Sequence, residues 1–309
     1  MKIIHSFYQI DKKICYLNNS DNDNFLINFY SLLFSYIRLK KIYGNVTVYC
    51  NSYAYDKILK FIPYDDVVFD EINHINANNY RNEWGLLKFH VFALQKEPFI
   101  HLDGDVFLFN DLLKKFINNN DDLIVQSIDI SIHVYGKFYR NNIEKLIKYN
   151  LIDIKQNDLL LKYNGNLGYN NGVVGFRNLD FLKYYIKNGK KMNDLMNQNE
   201  FKEVNHQTML FEQFNIYHSS ILKNMKVHEV LPHNLIEKYG FNEVGNKLGY
   251  THLLSGNKFV DYFIMLIRNN IFEKYPQYIE YIKKFEESIT NANIQYFKHK
   301  NLELLINNL

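Results

Sequence analysis

The sequence predicts an α/β protein built around a mainly parallel sheet, and three observations carry that expectation. Short apolar runs alternate along the first hundred residues with longer stretches whose apolar side chains recur every three or four positions, the pattern of buried strands joined by crossover helices. Hydrophobic residues make up 47% of the 309-residue chain and aromatic ones 16%, enough to cover such a sheet on both faces. With only 4 Pro and 13 Gly, no Pro/Gly-rich linker divides the chain. Most of it is therefore expected to form one unit, although its length would allow two average domains.

Each element follows from its own signal. Lys2 to Phe7 reads as a short buried strand, and Asp23 caps a helix whose Leu26, Phe29, Leu33, Tyr36 and Ile37 lie at helical spacing up to Gly44. Val46 to Tyr49 is the next strand, followed by a short helix around Tyr55 to Phe61 and an extended piece at Val67 to Phe69. A helix from Trp84 to Gln95 leads into a strand from Phe99 to Leu102. Leu123 to Val125 is a further strand, Asn141 to Tyr149 a helix, and Gly165 to Asn178 a glycine-punctuated strand region before a helix that starts near Asp180. Beyond Lys258 the pattern turns helical, with a break at Tyr275-Pro276. Ligands of parallel sheets bind beyond the carboxyl ends of the strands, so the chemistry is expected just after residues 7, 50 and 102.

Composition narrows the function classes. With 36 Lys+Arg against 33 Asp+Glu the formal charge is +3, which implies no nucleic-acid partner. Cys15 and Cys50 match neither a disulfide framework nor a metal-knuckle spacing, which favours a reducing compartment, the cytoplasm by default. Met1 to Ile10 is interrupted by His5, Ser6 and Gln9, and Phe263 to Ile267 is far too short to span a bilayer, so neither an export signal nor a transmembrane segment is expected. Tyr262, Phe263, Leu266, Ile267 and Arg268 form an amphipathic stretch. Such a stripe is either core packing or a peripheral contact with the inner face of a membrane.

The most informative segment is Pro98 to Phe107, where an apolar strand ends in Asp103-Gly104-Asp105. Two carboxylates separated by a flexible Gly104 can face one point, and carboxylate oxygens are hard ligands for Mg²⁺ or Mn²⁺ completed by substrate phosphates. The same triplet is also an ordinary polar turn. Tyr169-Asn170-Asn171-Gly172-Val173-Val174-Gly175 puts amides beside a glycine that admits close approach of a ligand, and equally reads as an Asn-Gly turn at a strand start. His252 stands six residues before Lys258, with Gly256 between them. Taken alone, a histidine so placed is more often a plain polar partner than a metal ligand. In Asn205 to Phe214 the apolar Met209, Leu210 and Phe214 suggest a helix, with Gln207 and Glu212 on opposite rims of one surface.

Taken together, these blocks resemble GT-A glycosyltransferases. The run from Trp84 through Lys88 to Phe109 is similar to the helix, strand and DxD loop of retaining glycosyltransferase family 8. It looks closer still to an uncharacterised bacterial family of glycosyltransferase-like proteins that opens with a strand like His5-Ser6-Phe7. The resemblance runs in blocks from residue 1 to about residue 276. It implies a GT-A (Rossmann-like) domain over residues 1–258 with a C-terminal helical extension, residues 259–309, packed on it. His252 to Lys258 is similar to the family 8 segment His-x-x-Gly-x-x-Lys, with Gly256 displaced by one residue, so the resemblance also implies Asp103, Asp105 and His252 as metal ligands, a mixed N/O set that suits Mn²⁺. His5, Ser6, Phe7, Lys88, Asp103, Gly104, Asn170, Gly172, Gly256 and Lys258 would bind the nucleotide sugar. Family 8 carries Asp-Gln-Asp where this chain has Glu212-Gln213, so Glu212, Gln213 and Asn171 are the catalytic candidates and the mechanism is not inherited.

The implied function is Mn²⁺- or Mg²⁺-dependent transfer of a sugar, with retention, from a nucleotide-diphosphate donor, UDP by family habit, to a carbohydrate, lipid-linked or protein acceptor. Two alternatives stand beside it. One is a nucleotide-sugar-binding or assembly protein that keeps the fold without turnover. The other is a sugar nucleotidyltransferase, which also needs paired aspartates but usually opens with a glycine-rich phosphate loop, and Lys2 to Lys13 contains no glycine. Lys88 is either a nucleotide contact or a solvated helix lysine. The donor sugar, the acceptor and the oligomeric state are not written in the sequence.

Overall fold

Strand β1 (Lys2–Phe7) lies between β2 (Val46–Cys50) and β4 (Phe99–Leu102), parallel to both, in the computed structural model of the chain. The structure describes residues 1–8, 21–70, 80–152, 163, 165–202, 204, 206–253 and 261–292. Between β1 and β2 runs α1 (Asp21–Tyr43), which starts two residues before the expected cap. After β2, Asn51 caps α2 (Ser52–Lys57) by accepting from Ala54 N at 3.1 Å, so that helix begins earlier than its apolar residues alone suggest. Then come β3 (Asp66–Phe69), parallel to β2, and α3 (Tyr80–Ala93), which returns the chain to β4.

The second half adds β5 (Val106–Leu108), α4 (Lys114–Asn118), β6 (Leu123–Ile130), α5 (Lys137–Lys148), β7 (Leu167–Phe176) and α6 (Leu179–Asn197). A π-helical turn (Leu210–Phe214), α7 (Asn215–Leu222), β8 (Val227–Glu229), α8 (His233–Tyr239), α9 (Phe241–Leu248) and β9 (Tyr250–His252) follow. The main sheet is ordered β3-β2-β1-β4-β7-β6-β8. It is parallel except at β7, which runs antiparallel to both neighbours. The α/β class and the mainly parallel sheet expected from sequence are therefore what the chain forms, with one reversed strand inside it.

Apolar side chains cover both faces. Phe29, Leu33, Tyr36 and Ile37 of α1 pack on one, and Phe89, Phe92, Phe176, Tyr185 and Phe211 on the other. The expected C-terminal helices are α10 (Asp261–Lys274) and α11 (Ile279–Ala292), separated by the break at Tyr275-Pro276. They pack on the outer side of α1. Phe285 stacks on Phe29 with centroids 3.8 Å apart, and Glu286 accepts from Tyr30 and from Arg268. The stretch read as amphipathic divides accordingly: Ile267 and Arg268 are buried, while Tyr262 and Leu266 are exposed. No described helix is long and apolar enough to cross a membrane. Cys50 is buried, while Cys15 lies outside the described residues.

Candidate functional site

At the end of β4 the backbone N–H of Asp103 donates to Gly172 O at 2.9 Å, tying the acidic loop to β7. The loop closes on itself, Val106 N donating to Asp103 O at 3.0 Å. Gly104 has no left-handed φ. Its lack of a side chain serves contact with α1, because a Cβ there would stand 2.4 Å from Leu32 Cδ2. The next three residues, β5, pair antiparallel with β9, Val106 opposite His252, and Leu253 N donates to Asp105 O at 3.1 Å. This small second sheet brings a histidine from late in the chain against the acidic pair.

Asp103, Asp105 and His252 each offer one ligand atom, and the three atoms lie within 4.8 Å of one another. His252 Nε2 is 3.4 Å from Asp105 Oδ1. Two carboxylates and one imidazole are a donor set for a divalent cation of the Mn²⁺ or Mg²⁺ kind, and the residues fit such an ion in kind and in spacing.

Lys88, on α3, is buried, and so is not a solvated helix lysine. Its Nζ lies 2.8 Å from Asp103 Oδ1 and 3.1 Å from Glu212 Oε1, so one ammonium bridges the acidic loop and the π-helical turn. Burial works against that charge, but the carboxylates of Asp103 and Glu212 more than offset it and hold the ammonium above its ordinary range. Glu212 is wholly buried, 0% exposed. Desolvation, with Asp103 adding to it, raises its carboxyl above the usual range against the pull of Lys88.

The expected rim arrangement of Gln207 and Glu212 does not form. The extra residue per turn of the π-helical segment turns Glu212 inward, and such turns recur at functional sites. Gln207 bonds instead to Asn193 and Asn197 at 2.8 and 2.9 Å.

On β7, Asn171 Nδ2 approaches Glu212 Oε1 at 3.5 Å, and Asn170 Oδ1 accepts from Gly172 N at 3.0 Å. Gln213 Oε1 meets Tyr135 OH at 2.6 Å, and that hydroxyl also lies 2.8 Å from Asp129 Oδ2. At the end of β1, His5 is fully buried between Tyr64 OH and Ser35 Oγ, Ser6 Oγ meets His101 Nε2 at 2.8 Å, and Phe7 packs against the α1 side of the core. Asp103, Asp105, His252, Lys88, Glu212, Asn171 and Gly172 thus come to one place. Gly256 and Lys258 lie outside the described residues. Sequence reasoning passed over Gln126, whose Oε1 is 2.9 Å from His252 Nδ1; a glutamine inside the apolar run Leu123 to Ile128 was the available signal.

Comparison with known proteins adds a family and several distant folds. The model of DUF6734, a family of unknown function, matches residues 1–285. No curated protein matches the sequence. Among solved structures the chain is similar to the apo WbbM bifunctional glycosyltransferase, at 15% identity and a TM-score of 0.49 over 91% of this chain and 51% of that one. It is similar to apo mouse xyloside xylosyltransferase 1, at 8% identity and a TM-score of 0.41 over 81% and 96%. It is also similar to the inositol-1-phosphate CTP transferase of T. maritima, at 12% identity and a TM-score of 0.37 over 88% and 96%. The chain spans about half the length of the first of these. At such identities and scores these likenesses assign it no activity.

Proposed function

The chain belongs to DUF6734, a family of unknown function, and from the chemistry of its site we propose that it is a metal-dependent glycosyltransferase. It would move a sugar, with retention, from a nucleotide-diphosphate donor, UDP-linked, to a carbohydrate, lipid-linked or protein acceptor. Residues 1–258 are the catalytic unit of this proposal, α10 and α11 its helical support, and the cytoplasm its compartment; of the expected extension, residues 259, 260 and 293–309 lie outside the described residues. The observation that carries it is the convergence of Asp103, Asp105 and His252 at the carboxyl end of β4, with the buried Lys88–Glu212 pair directly behind Asp103.

In this reading Asp103, Asp105 and His252 hold Mn²⁺ or Mg²⁺. The ion supplies positive charge for the diphosphate leaving group. Lys88 fixes the Asp103 carboxylate before any ligand arrives, which lowers the reorganisation needed on binding. Glu212 Oε2 and Asn171 Oδ1 are buried without a hydrogen-bond partner among the described residues, as groups that meet sugar hydroxyls would be. Lys258 and Gly256 complete the diphosphate contacts in the proposal, and Ser6 and Phe7 flank the base and ribose, while His5, read from sequence as a third such residue, is closed off between Tyr64 and Ser35.

The test is a panel of nucleotide sugars with Mn²⁺ and pure protein, read by thermal shift and by release of nucleoside diphosphate. The expected result is Mn²⁺-dependent turnover that falls at least about 100-fold in Asp105→Ala, with NMR of the product showing a retained anomer. Pyrophosphate release from a nucleoside triphosphate would make the chain a nucleotidyltransferase instead. Tight donor binding with no turnover on any acceptor would make it a binding module.

A further inference from the structure

We propose that Gln126 is the positioning residue that selects Nε2 of His252 as the metal-ligating atom, by accepting the proton on Nδ1. The inference rests on the metal reading of the Asp103–Asp105–His252 cluster and assigns the imidazole its tautomer and its aim. Three features converge on Gln126. The pairing of β6 with β7 slips between Val125 and Ser127, which lie opposite Val174 and Asn170, so Gln126 faces a bulge made by the β7 residues in between. Bulges re-aim side chains next to functional sites. Inside that bulge Gly172 lacks the Cβ that would stand 2.3 Å from Gln126 Oε1, 2.6 Å from His252 Cε1 and 2.7 Å from His252 Nδ1. The glycine read from sequence as room for a ligand is therefore room for this side-chain pair. Finally, Gln126 is wholly buried and its Oε1 lies 2.9 Å from Nδ1.

The chemistry then follows from one proton. Carbonyl oxygen only accepts, so contact with Oε1 puts the imidazole proton on Nδ1 and leaves a lone pair on Nε2, the nitrogen that faces Asp105 Oδ1 at 3.4 Å. If the amide were turned so that its NH₂ faced the ring, the proton would sit on Nε2 and point at Asp105, and the ring could not ligate. Holding the ring from behind its ligating atom raises metal affinity by typically 10- to 100-fold.

Two measurements test this on the full chain. Titration with Mn²⁺ alone, free ion followed by EPR, is expected to give affinity about 10- to 100-fold weaker in Gln126→Met, which keeps the shape and loses the acceptor. Gln126→Glu, which can only accept in its ionised form, is expected to stay within a few-fold of wild type. Glu as weak as Met, or Met as tight as wild type, overturns the proposal. Nitrogen-15 NMR of metal-free protein reads the tautomer directly: Nδ1–H at His252 in wild type, and loss of that preference in Gln126→Met with the fold unchanged by circular dichroism. An Nε2–H tautomer in the wild type overturns the proposal whether or not metal binds. A wild type with the Nδ1–H tautomer but no affinity for Mn²⁺ or Mg²⁺ overturns the metal reading instead, and with it the ligating role assigned to His252.

Discussion

On the β1 side of β4 one chain of buried polar groups, running through His5, closes on itself. Tyr64 OH donates to His5 Nδ1 at 2.8 Å, His5 Nε2–H to Ser35 Oγ at 3.1 Å, and Ser35 to Val106 O at 2.8 Å. On the β7 side, Gln126 Nε2, Asn171 Oδ1 and Glu212 Oε2 are equally buried and have no hydrogen-bond partner among the described residues. An unmade bond of that kind costs about 1–3 kcal/mol, so it persists where something other than the fold completes it. The contrast separates two tasks around one acidic loop: the β1 side holds the strands together beneath Asp105, and the β7 side is laid out for a polar ligand. Lys88 joins the two, gripping Asp103 with one contact and Glu212 with another.

That junction gives the largest expected effect. Lys88→Met leaves the Glu212 carboxyl in a wholly buried position without its cation, and breaking a buried pair from one side costs about 3–5 kcal/mol. Urea unfolding should show this loss, and Lys88→Met with Glu212→Gln should recover most of it, because the residual charge is then gone. If Lys88→Met unfolds at the wild-type midpoint, the junction is not part of the fold's support and the division of labour fails.

The next effect is a pH slope to which His5, on the β1 side, contributes. Burial pushes His5 down to about 3 from an ordinary 6.5, Asp105 pulling only weakly the other way, and burial does the same to His218. Between those values the unfolded chain binds protons that the folded chain refuses, so stability falls as pH drops from 6.5 towards 3, by roughly 1 kcal/mol per pH unit for each group. Unfolding midpoints measured from pH 7 to pH 4 should follow that slope. His5→Gln should be less stable at pH 7 yet flatter by about one proton. An unchanged slope would mean that His5 is not the neutral link drawn above.

What was legible in the sequence divides along the same line. The alternation of strand and helix is written in local periodicity, so β1, β2, β4 and the break at Pro276 were readable in place, and Asp103 and Asp105 stand two apart on one loop. His252 was found only through the likeness of its segment to a family motif. The direction of β7 was not, because a glycine-punctuated strand looks the same run either way and only its neighbours decide. The inward turn of Glu212 was hidden for a related reason: apolar Met209, Leu210 and Phe214 suit an ordinary helix, and the one added residue per turn that buries Glu212 depends on packing against β7 and Tyr135. Gln126 carries no motif at all. Its meaning comes from Gly172 on another strand and His252 on another sheet.

Asn171 gives the smallest effect on stability and the sharpest test of the β7 side. Its Nδ2 approaches Glu212 Oε1 at 3.5 Å and also bonds the Tyr185 hydroxyl, and its Oδ1 has no hydrogen-bond partner among the described residues. Removing the amide in Asn171→Ala therefore takes away the contacts to Glu212 and Tyr185 together with one buried acceptor, so the unfolding free energy should fall by about 1 kcal/mol. An amide that serves a ligand behaves otherwise: donor affinity in the presence of Mn²⁺ should fall roughly 10-fold or more, since each lost hydrogen bond to a desolvated partner is worth about 1–2 kcal/mol of binding. Calorimetric titration with the donor that gives the largest thermal shift, beside urea unfolding of the same variant, compares the two directly. A variant that loses stability while binding as wild type would place Asn171 with His5 among the groups that hold the sheet. The unpaired atoms of the β7 side would then have to be explained without a ligand.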